Sequence, residues 1–527
     1  MLRRLLLIAS LSVLVTSVAA RAQEPLRPKQ LWLYYPANLL PDENLKSLET
    51  VWRRAAKAGY THVLLTDVKL SHLSDLPPKY AQHVEEVRAL ADELHLQLVP
   101  AVAGFGYSES LLWHNPNLAE AVPVRGTLME AQGKELKLVP DPSVTFGKPA
   151  FVDDSVKITG NTATLVNPPG NARICYSVAV QPFRAYHISV SIETQGFTGT
   201  PEIKALADKN ASLQWQSLGV KRTQPATTHH VVFNSLANTK VNIYLGVWGG
   251  GKGRLIWRDW TIEELPPMNV LRRPGTPVVV TSVTTGKPLT EGRDYDPIAD
   301  PVMGTQPWPG SYTCYHTPPT LRTSLANGTR VRVDWFYPPI VYDGQVTMCP
   351  AEPETWKVVA REMSDVAGAL RSGSFFLGFD EIRVLGWDHA CEQGTPGTQL
   401  AAALRKATDL AGKAGSKNTY VWSDMFDPYH NAKSGPYYLV NGSLSPGPVP
   451  ANLVICNWNF EQRDESLAYF ANKGHRQIIA AYYDGPLDNT RLWLLSGAKV
   501  KGVEGLMYCT WRGDYSQLEA FAKLAGK

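Results

Sequence analysis

The hydrophobic period of this chain changes twice along its length, and that change limits the fold more than any single motif does. Near the N-terminus, apolar runs at residues 30 to 35 (QLWLYY), 61 to 66 (THVLLT) and 97 to 102 (QLVPAV) alternate with stretches of helical spacing. Those stretches place Leu45, Leu48, Val51, Trp52, Ala55 and Ala56 on one helix face, and Tyr80, Val84, Val87, Ala91 and Leu94 on another. Strand, helix and strand at this interval predict parallel strands joined by right-handed crossovers. From about residue 144 to 264 the apolar residues fall on alternate positions, as in Ile174, Tyr176, Val178 and Val180, or Val241, Ile243, Leu245 and Val247. A period of two, broken by Asn, Pro and Gly turns, predicts an antiparallel β-sandwich. The helical period then returns with Trp356, Val359, Met363, Val366 and Leu370, and again with Leu400, Leu404, Ala407 and Ala411.

The economical fold is α/β, a (β/α)8 TIM barrel interrupted by an inserted antiparallel β-sandwich, because a closed barrel uses up parallel strands without leaving edges. The barrel is expected in two parts, residues 23 to 140 and 331 to 527, with the sandwich at 141 to 266 and a Pro- and Gly-rich β appendage at 267 to 330. Eight or nine strands are of the parallel type, so one is surplus, either 331 to 337 (VRVDWFY) or a piece of the insertion. Gly249-Gly250-Gly251-Lys252-Gly253 lacks the second half of a phosphate-binding loop and is expected to be a hairpin turn.

The first 22 residues carry Arg3 and Arg4, an apolar run at 5 to 20, and Ala20-Arg21-Ala22 before Gln23, the pattern of a cleaved secretory signal. Export to the periplasm or beyond is therefore expected, without stable membrane insertion. The formal charge of +4 includes the three arginines of that segment, so the remaining chain is close to neutral and offers nothing to nucleic acid. Six cysteines lie far apart with no metal-ligand spacing, and Cys314 with Cys349, or Cys349 with Cys391, are the candidate disulfides. His389 and His430 have no partner at ligand spacing. Neither a metal nor another cofactor is expected.

The chemistry is expected where apolar strands end. Phe375-Phe376-Leu377-Gly378-Phe379-Asp380-Glu381-Ile382-Arg383 runs from a buried strand into two adjacent carboxylates and an arginine, a costly arrangement unless charge is wanted there. Other strand ends supply Asp67, Trp422, Asp424, Trp458, Asn459, Tyr483, Asp484, Trp511 and Asp514. Several carboxylates and indoles at the C-terminal face of one barrel are the inventory of a glycosidase. The expected catalytic set is Glu381, Asp380, Asp484 and Asp424, with Glu381 holding the proton as general acid. Trp422, Trp458, Trp511, Tyr483, Asp67, Asn459, Arg383 and Asp514 are the expected substrate contacts, and the partner is a carbohydrate. A non-catalytic carbohydrate-binding barrel and another barrel enzyme such as a lyase are the alternatives.

Phe376-Leu377-Gly378-Phe379-Asp380-Glu381 is similar to the His-x-Gly-Gly-Asp-Glu motif on strand 4 of family-20 glycoside hydrolases, the β-hexosaminidases. Leu98-Val99-Pro100-Ala101-Val102 through Gly106, Val421-Trp422-Ser423-Asp424-Met425, and the run from Gly505 to Trp511 resemble further strand ends of that family, in the same order. The resemblance implies a substrate-assisted mechanism in which Asp380 orients an acetamido group, Glu381 acts as acid and then base, and Trp422, Trp458 and Trp511 wall the sugar. Phe376 and Phe379 replace the motif's His and second Gly, and a bulky Phe379 is expected to crowd such a substrate. The inserted sandwich looks like a carbohydrate-binding jelly roll, with Trp248, Trp257 and Trp260 as either sugar contacts or core residues.

Overall fold

In the computed structural model, residues 24 to 304, 308, 312 to 342 and 344 to 527 are described. The expected signal segment lies outside them, as do residues 309 to 311 of the Trp308 to Tyr312 stretch and the side chain of Tyr483. No described helix is long and apolar enough to cross a membrane.

Eight parallel strands close into a barrel in the order β1 (Gln30–Pro36), β2 (His62–Thr66), β3 (Gln97–Val102), β4 (Ser374–Leu377), β5 (Asn418–Trp422), β6 (Leu453–Asn457), β7 (Arg476–Tyr483) and β8 (Val503–Cys509). Closure is made by Gln30 to Leu33 pairing with Gly505 to Tyr508. Around it run α1 (Asp42–Lys57), α2 (Pro78–Glu93), α3 (Pro353–Leu370), α4 (Pro396–Lys413), α5 (Arg463–Asn472), α6 (Asn489–Gly497) and α7 (Leu518–Leu524). Between β5 and β6 the chain makes a long loop with a 3-10 turn at Asp424–Phe426 and a two-residue strand, Leu439–Val440, paired with Val384–Leu385, so one crossover lacks an α-helix.

Strand alternation explains why the apolar runs are continuous. Trp32, Leu64, Val99, Phe376, Tyr420, Val454, Ile478 and Met507 point inward and fill the barrel, while Leu31, Val63, Phe375, Val421, Ile455 and Leu506 point outward under the helices. Both faces of each strand are thus withdrawn from water, and each large aliphatic side chain so buried contributes roughly 1.5–3 kcal/mol. Helix ends follow local chemistry. Thr395 and Thr398 form a reciprocal capping box at the start of α4, with Pro396 in its first turn.

Between β3 and β4 the chain leaves the barrel. A five-stranded sheet (Gln224–Asn234, Ala185–Gln195, Arg254–Glu264, Thr162–Val166, Val156–Thr159) and a four-stranded sheet (Pro201–Leu206, Lys240–Val247, Ala172–Ala179, Phe151–Val152) share one apolar core. A third sheet pairs Arg330–Tyr337 with Val122–Gln132 in antiparallel register, and its own core includes Trp335 and Tyr337. The surplus strand therefore belongs to the intervening sheets and not to the barrel. The glycine run 249 to 253 is not a hairpin turn, because the strands it joins lie in different sheets. It is a crossover whose Gly249, Gly250 and Gly253 have φ of 83°, 79° and 90°. Trp257 is fully buried in the shared core, and of the two half-exposed ones Trp260 packs against that core while Trp248 does not.

One buried polar cluster ties the insertion to the chain that follows Glu381. Arg273 donates to Glu352 at 2.5 Å and to Asp388 at 2.6 Å, and Glu120 accepts from the Gly386 N–H at 2.9 Å. The Cys349 and Cys391 sulfurs lie 3.5 Å apart, and the Cys391 thiol donates to Glu120 at 3.4 Å. Ligand-type atoms of Glu120, Cys349, Asp388 and Cys391 fall within 4.8 Å of one another, a grouping that widely spaced sequence positions hide. Arg273 is the cation already built into it. Burial pushes the Glu120 carboxyl up to about 8 and the Cys349 thiol up to about 11. Cys314 does not pair with Cys349; its thiol donates to the His230 carbonyl at 3.5 Å.

Of the two candidate disulfides, only Cys349 with Cys391 has its sulfurs in contact. Reduced protein incubated with oxidised glutathione is expected to lose two of its six alkylatable thiols when counted after denaturation, and Cys349→Ser is expected to abolish that loss.

Candidate active site

The C-terminal mouth of the barrel opens as a bowl of about 740 Å3 lined chiefly by apolar and aromatic atoms. Its aromatic walls are Tyr34, Tyr107, Phe376, Trp422, Trp458 and Trp511, and its carboxylates are Asp380 and Glu381. Trp511 is 52% exposed and meets Tyr34 edge-on at 5.0 Å between ring centroids, with Trp422 at 6.1 Å. Flat faces at the rim and charge at the floor suit a ligand with one apolar face and several hydroxyls.

The carboxylates reach the bowl because β4 ends early. After Leu377 the chain passes Gly378, whose N–H donates to the Val102 carbonyl at 2.9 Å and whose carbonyl accepts from the Phe105 N–H at 2.7 Å. The loops after β3 and β4 touch here. A Cβ on Gly106 would stand 1.9 Å from the Asp380 carbonyl oxygen, and one on Gly378 would stand 2.9 Å from the Gly104 Cα. Phe379 turns outward against Phe105, 4.7 Å between ring centroids, and Phe426, and is fully buried. The expected crowding by Phe379 is therefore corrected. Strand alternation sends it to the helix layer, and Phe376 is the motif phenylalanine that lines the bowl.

Glu381 has φ of 48°, in the left-handed region. Its N–H donates to Asp424 Oδ2 at 2.9 Å, and its own carboxylate is held from two sides. Oε1 is ion-paired with Arg383 at 2.8 Å and Oε2 accepts the Tyr107 hydroxyl. Arg383 in turn lies over the edge-on pair of Tyr342 and Tyr438 rings, at 4.9 and 5.0 Å, and donates to Gln345. Gln345 also donates to the carbonyls of Gly106 and Glu381, at 3.0 and 3.1 Å, which fastens both loops.

Asp380 sits in different surroundings. Among the described residues no other side chain hydrogen-bonds its carboxyl, and burial, followed by the charge of Asp424, pushes it up to about 8. Asp424 is fully buried; it accepts from Asn431 at 2.9 Å and from the Trp458 indole at 3.3 Å, and burial pushes it up to about 6. His430 lies against Trp458 at 4.5 Å and burial lowers it to about 4, so it is neutral. Burial thus favours the protonated form of Asp380, while Glu381 is ion-paired with Arg383.

The remaining expected residues divide. Trp422, Trp458 and Trp511 line the bowl, and Asp424 and Arg383 hold Glu381 from behind. Asp484, at φ 53°, accepts from the Thr510 hydroxyl and from the N–H groups of Trp511 and Arg512 at 2.8 and 3.2 Å, so it shapes the Trp511 loop and does not face the carboxylate pair. Asp67 is buried, accepting from Leu39 N, Lys69 N and Tyr80 Oη; it is a turn cap and not a substrate contact. Asn459 is buried against Asp427 and Tyr429, and Asp514 is an exposed turn residue that caps Ser516. Neither lines the bowl. Missed from sequence were Tyr107, Gln345, Tyr342, Tyr438 and Glu362. Glu362 accepts from the N–H of Ala103, itself at φ 53°. A glutamate on the apolar stripe of α3, beside Met363, was the available signal.

Glu120, Glu362, Asp380 and Asp424 are all raised, the first three to about 8 and the last to about 6, so the folded state binds more protons than the unfolded chain between about pH 4 and 8. Stability is then greatest at acid pH and is lost as pH rises through those values. The melting temperature is expected to fall from pH 6 to pH 9, and Glu362→Gln to reduce that fall. Gly106→Ala is expected to cost about 1–3 kcal/mol in chemical denaturation, the range for an overpacked contact.

No protein-family model and no curated protein matches the chain. Among solved structures it has a distant likeness to a glycoside hydrolase family 20 β-N-acetylglucosaminidase, at 10% identity over 95% of this chain and 70% of that one, with a TM-score of 0.38. A chitobiase of Flavobacterium johnsoniae gives 9% identity over 95% of this chain, which spans about half (48%) of that protein, with a TM-score of 0.41. A structure described as CBM4 is similar to 22% of the chain at 15% identity, covering 77% of that structure with a TM-score of 0.18. The resemblance is distant, and the functional reading below rests on the geometry of the bowl.

Proposed function

We propose that this chain is a glycoside hydrolase acting on an oligo- or polysaccharide, with the adjacent Asp380 and Glu381 at the scissile bond. The observation that carries the reading is their unlike surroundings inside one aromatic bowl: a carboxyl that burial raises to about 8 beside one ion-paired with an arginine. Two carboxyl groups kept in different states divide the work of glycoside cleavage. Asp380 delivers its proton to the leaving oxygen as the bond from the anomeric carbon breaks, and the Glu381 carboxylate stabilises the oxocarbenium-like centre. Water then adds to that carbon and returns a proton to Asp380. This departs from the sequence expectation that Glu381 is the acid, and it leaves Asp424 and Arg383 as positioning residues. Trp422, Trp458 and Trp511 are the sugar platforms.

The outward turn of Phe379 removes one objection to an acetamido sugar, and the apolar lining favours an uncharged ring. The two-sheet insertion is read as a carbohydrate-binding module. Export is included on the strength of residues 1 to 22. The grip of Arg383 and Tyr107 on Glu381 favours a second reading, a non-catalytic sugar-binding barrel, because it occupies both oxygens of that carboxylate.

A panel of aryl glycosides and polysaccharides separates the two. Turnover is expected, with Glu381→Gln and Asp380→Asn each lowering kcat/KM by about 10²–10⁴. Because the acid form of Asp380 is the active one, kcat/KM is expected to decline above about pH 8. Full activity in Glu381→Gln removes the assignment, and sugar binding by calorimetry without turnover on any member of the panel establishes the second reading.

A further inference from the structure

A second cavity, also about 740 Å3, lies along the outer face of the four-stranded sheet. Strand alternation builds it. On Pro201–Leu206 and Lys240–Val247 the residues Ile203, Ala205, Ile243 and Leu245 face the shared core, which turns Lys204 and Tyr244, cross-strand partners, toward the groove. Trp248 follows at the end of its strand, half-exposed, with the Lys204 ammonium 3.8 Å from its ring centroid and Tyr244 at 6.3 Å. At the other end the groove is lined by Trp215 and by Tyr342, which is 42% exposed.

The two cavities are linked through single side chains. Tyr342 stacks on Arg383, and Arg383 is ion-paired with Glu381 in the bowl. Trp215 lies 4.9 Å from Tyr438, the second ring under Arg383, and the Trp215 carbonyl accepts from the Tyr342 N–H at 3.1 Å. Aromatic rings thus run from Trp248 and Tyr244, by way of Trp215, Tyr342 and Tyr438, to the mouth of the barrel. The charges beside them are already neutralised: Lys204 is paired with Glu202 at 2.8 Å and Arg173 with Asp153 at 2.8 Å.

We propose that this groove binds the outer residues of the same glycan whose reacting unit enters the bowl, and that the ligand is an uncharged polysaccharide chain. The proposal rests on the reading of the barrel as a carbohydrate site. Flat indole and phenol rings take the apolar faces of pyranose rings, while the exposed amide and hydroxyl of Asn210 and Ser217 are available to sugar hydroxyls. Paired charges give no net attraction to an anionic chain. A groove of this volume is larger than one sugar unit requires, and the Tyr342, Arg383 and Glu381 side chains stand between it and the bowl.

Native affinity electrophoresis of the full chain tests this, with gels containing xylan, laminarin or galactomannan as neutral probes and polygalacturonate as the anionic control. Retardation by at least one neutral polysaccharide is expected, reduced about tenfold in apparent affinity by Trp248→Ala and by Tyr244→Ala, with circular dichroism confirming that both variants fold. For a hydrolysed polymer, Trp248→Ala is expected to lower the ratio of polymer to aryl-monoglycoside kcat/KM about tenfold. Unretarded migration in every neutral gel, retardation only by polygalacturonate, or equal retardation of the wild type and both aromatic variants overturns the groove, whatever the barrel hydrolyses. Trp248-dependent retardation without hydrolysis of any glycan upholds the groove and overturns the hydrolase reading instead.

Discussion

Glu381 holds a left-handed backbone conformation, and the barrel mouth is arranged around keeping it there. A non-glycine residue in that region costs on the order of 1–3 kcal/mol and persists only where its surroundings over-determine it. Here the N–H is fixed by Asp424, the carbonyl by Gln345, and the two carboxylate oxygens by Arg383 and Tyr107. The same device recurs at the end of β3, where Ala103 is left-handed and Glu362 takes its N–H. Between these two corners, glycines at 104, 106 and 378 allow the loops to approach closer than any side chain permits. The result is a pair of adjacent carboxyls that both face one bowl, which regular strand alternation would not deliver.

The insertion takes part in this arrangement. Gln345 and Tyr342 come from the segment returning from the third sheet, and they hold Arg383, which holds Glu381. The Glu120, Arg273, Asp388 and Cys391 cluster anchors the chain a few residues beyond Arg383 to the same region. Taking charges into such a cluster is costly unless each is paired, so its removal by halves is more damaging than its presence is stabilising. The sheets between β3 and β4 therefore serve as a buttress for the barrel mouth as well as the floor of the outer groove.

Burial sorts the acidic residues. Asp380 and Glu381 are neighbours in sequence, yet one is buried with no other side chain hydrogen-bonded to it among the described residues and the other is paired with a guanidinium. Glu362 spends an oxygen on the Ala103 N–H, and Asp424 spends its oxygens on the Glu381 N–H, the Asn431 amide and the Trp458 indole. Composition gives all four the same charge, and only their neighbours decide which holds a proton at neutral pH.

The sequence by itself determined the barrel, because parallel strands buried on both faces must be apolar throughout and their connecting helices must carry a 3.6-residue stripe. It also determined the antiparallel sheets, through a period of two, and the strand end at Asp380 and Glu381, through charge placed where an apolar run stops. These are local signals, carried by neighbouring residues. Tertiary structure alone decided that Phe379 leaves the bowl, that Asp67, Asn459 and Asp514 lie outside its lining, that Asp484 braces a loop, and that burial raises the Asp380 carboxyl. Each depends on contacts between residues tens to hundreds of positions apart, such as Tyr107 with Glu381 or Gln345 with Gly106, and no period or spacing in a single chain records them.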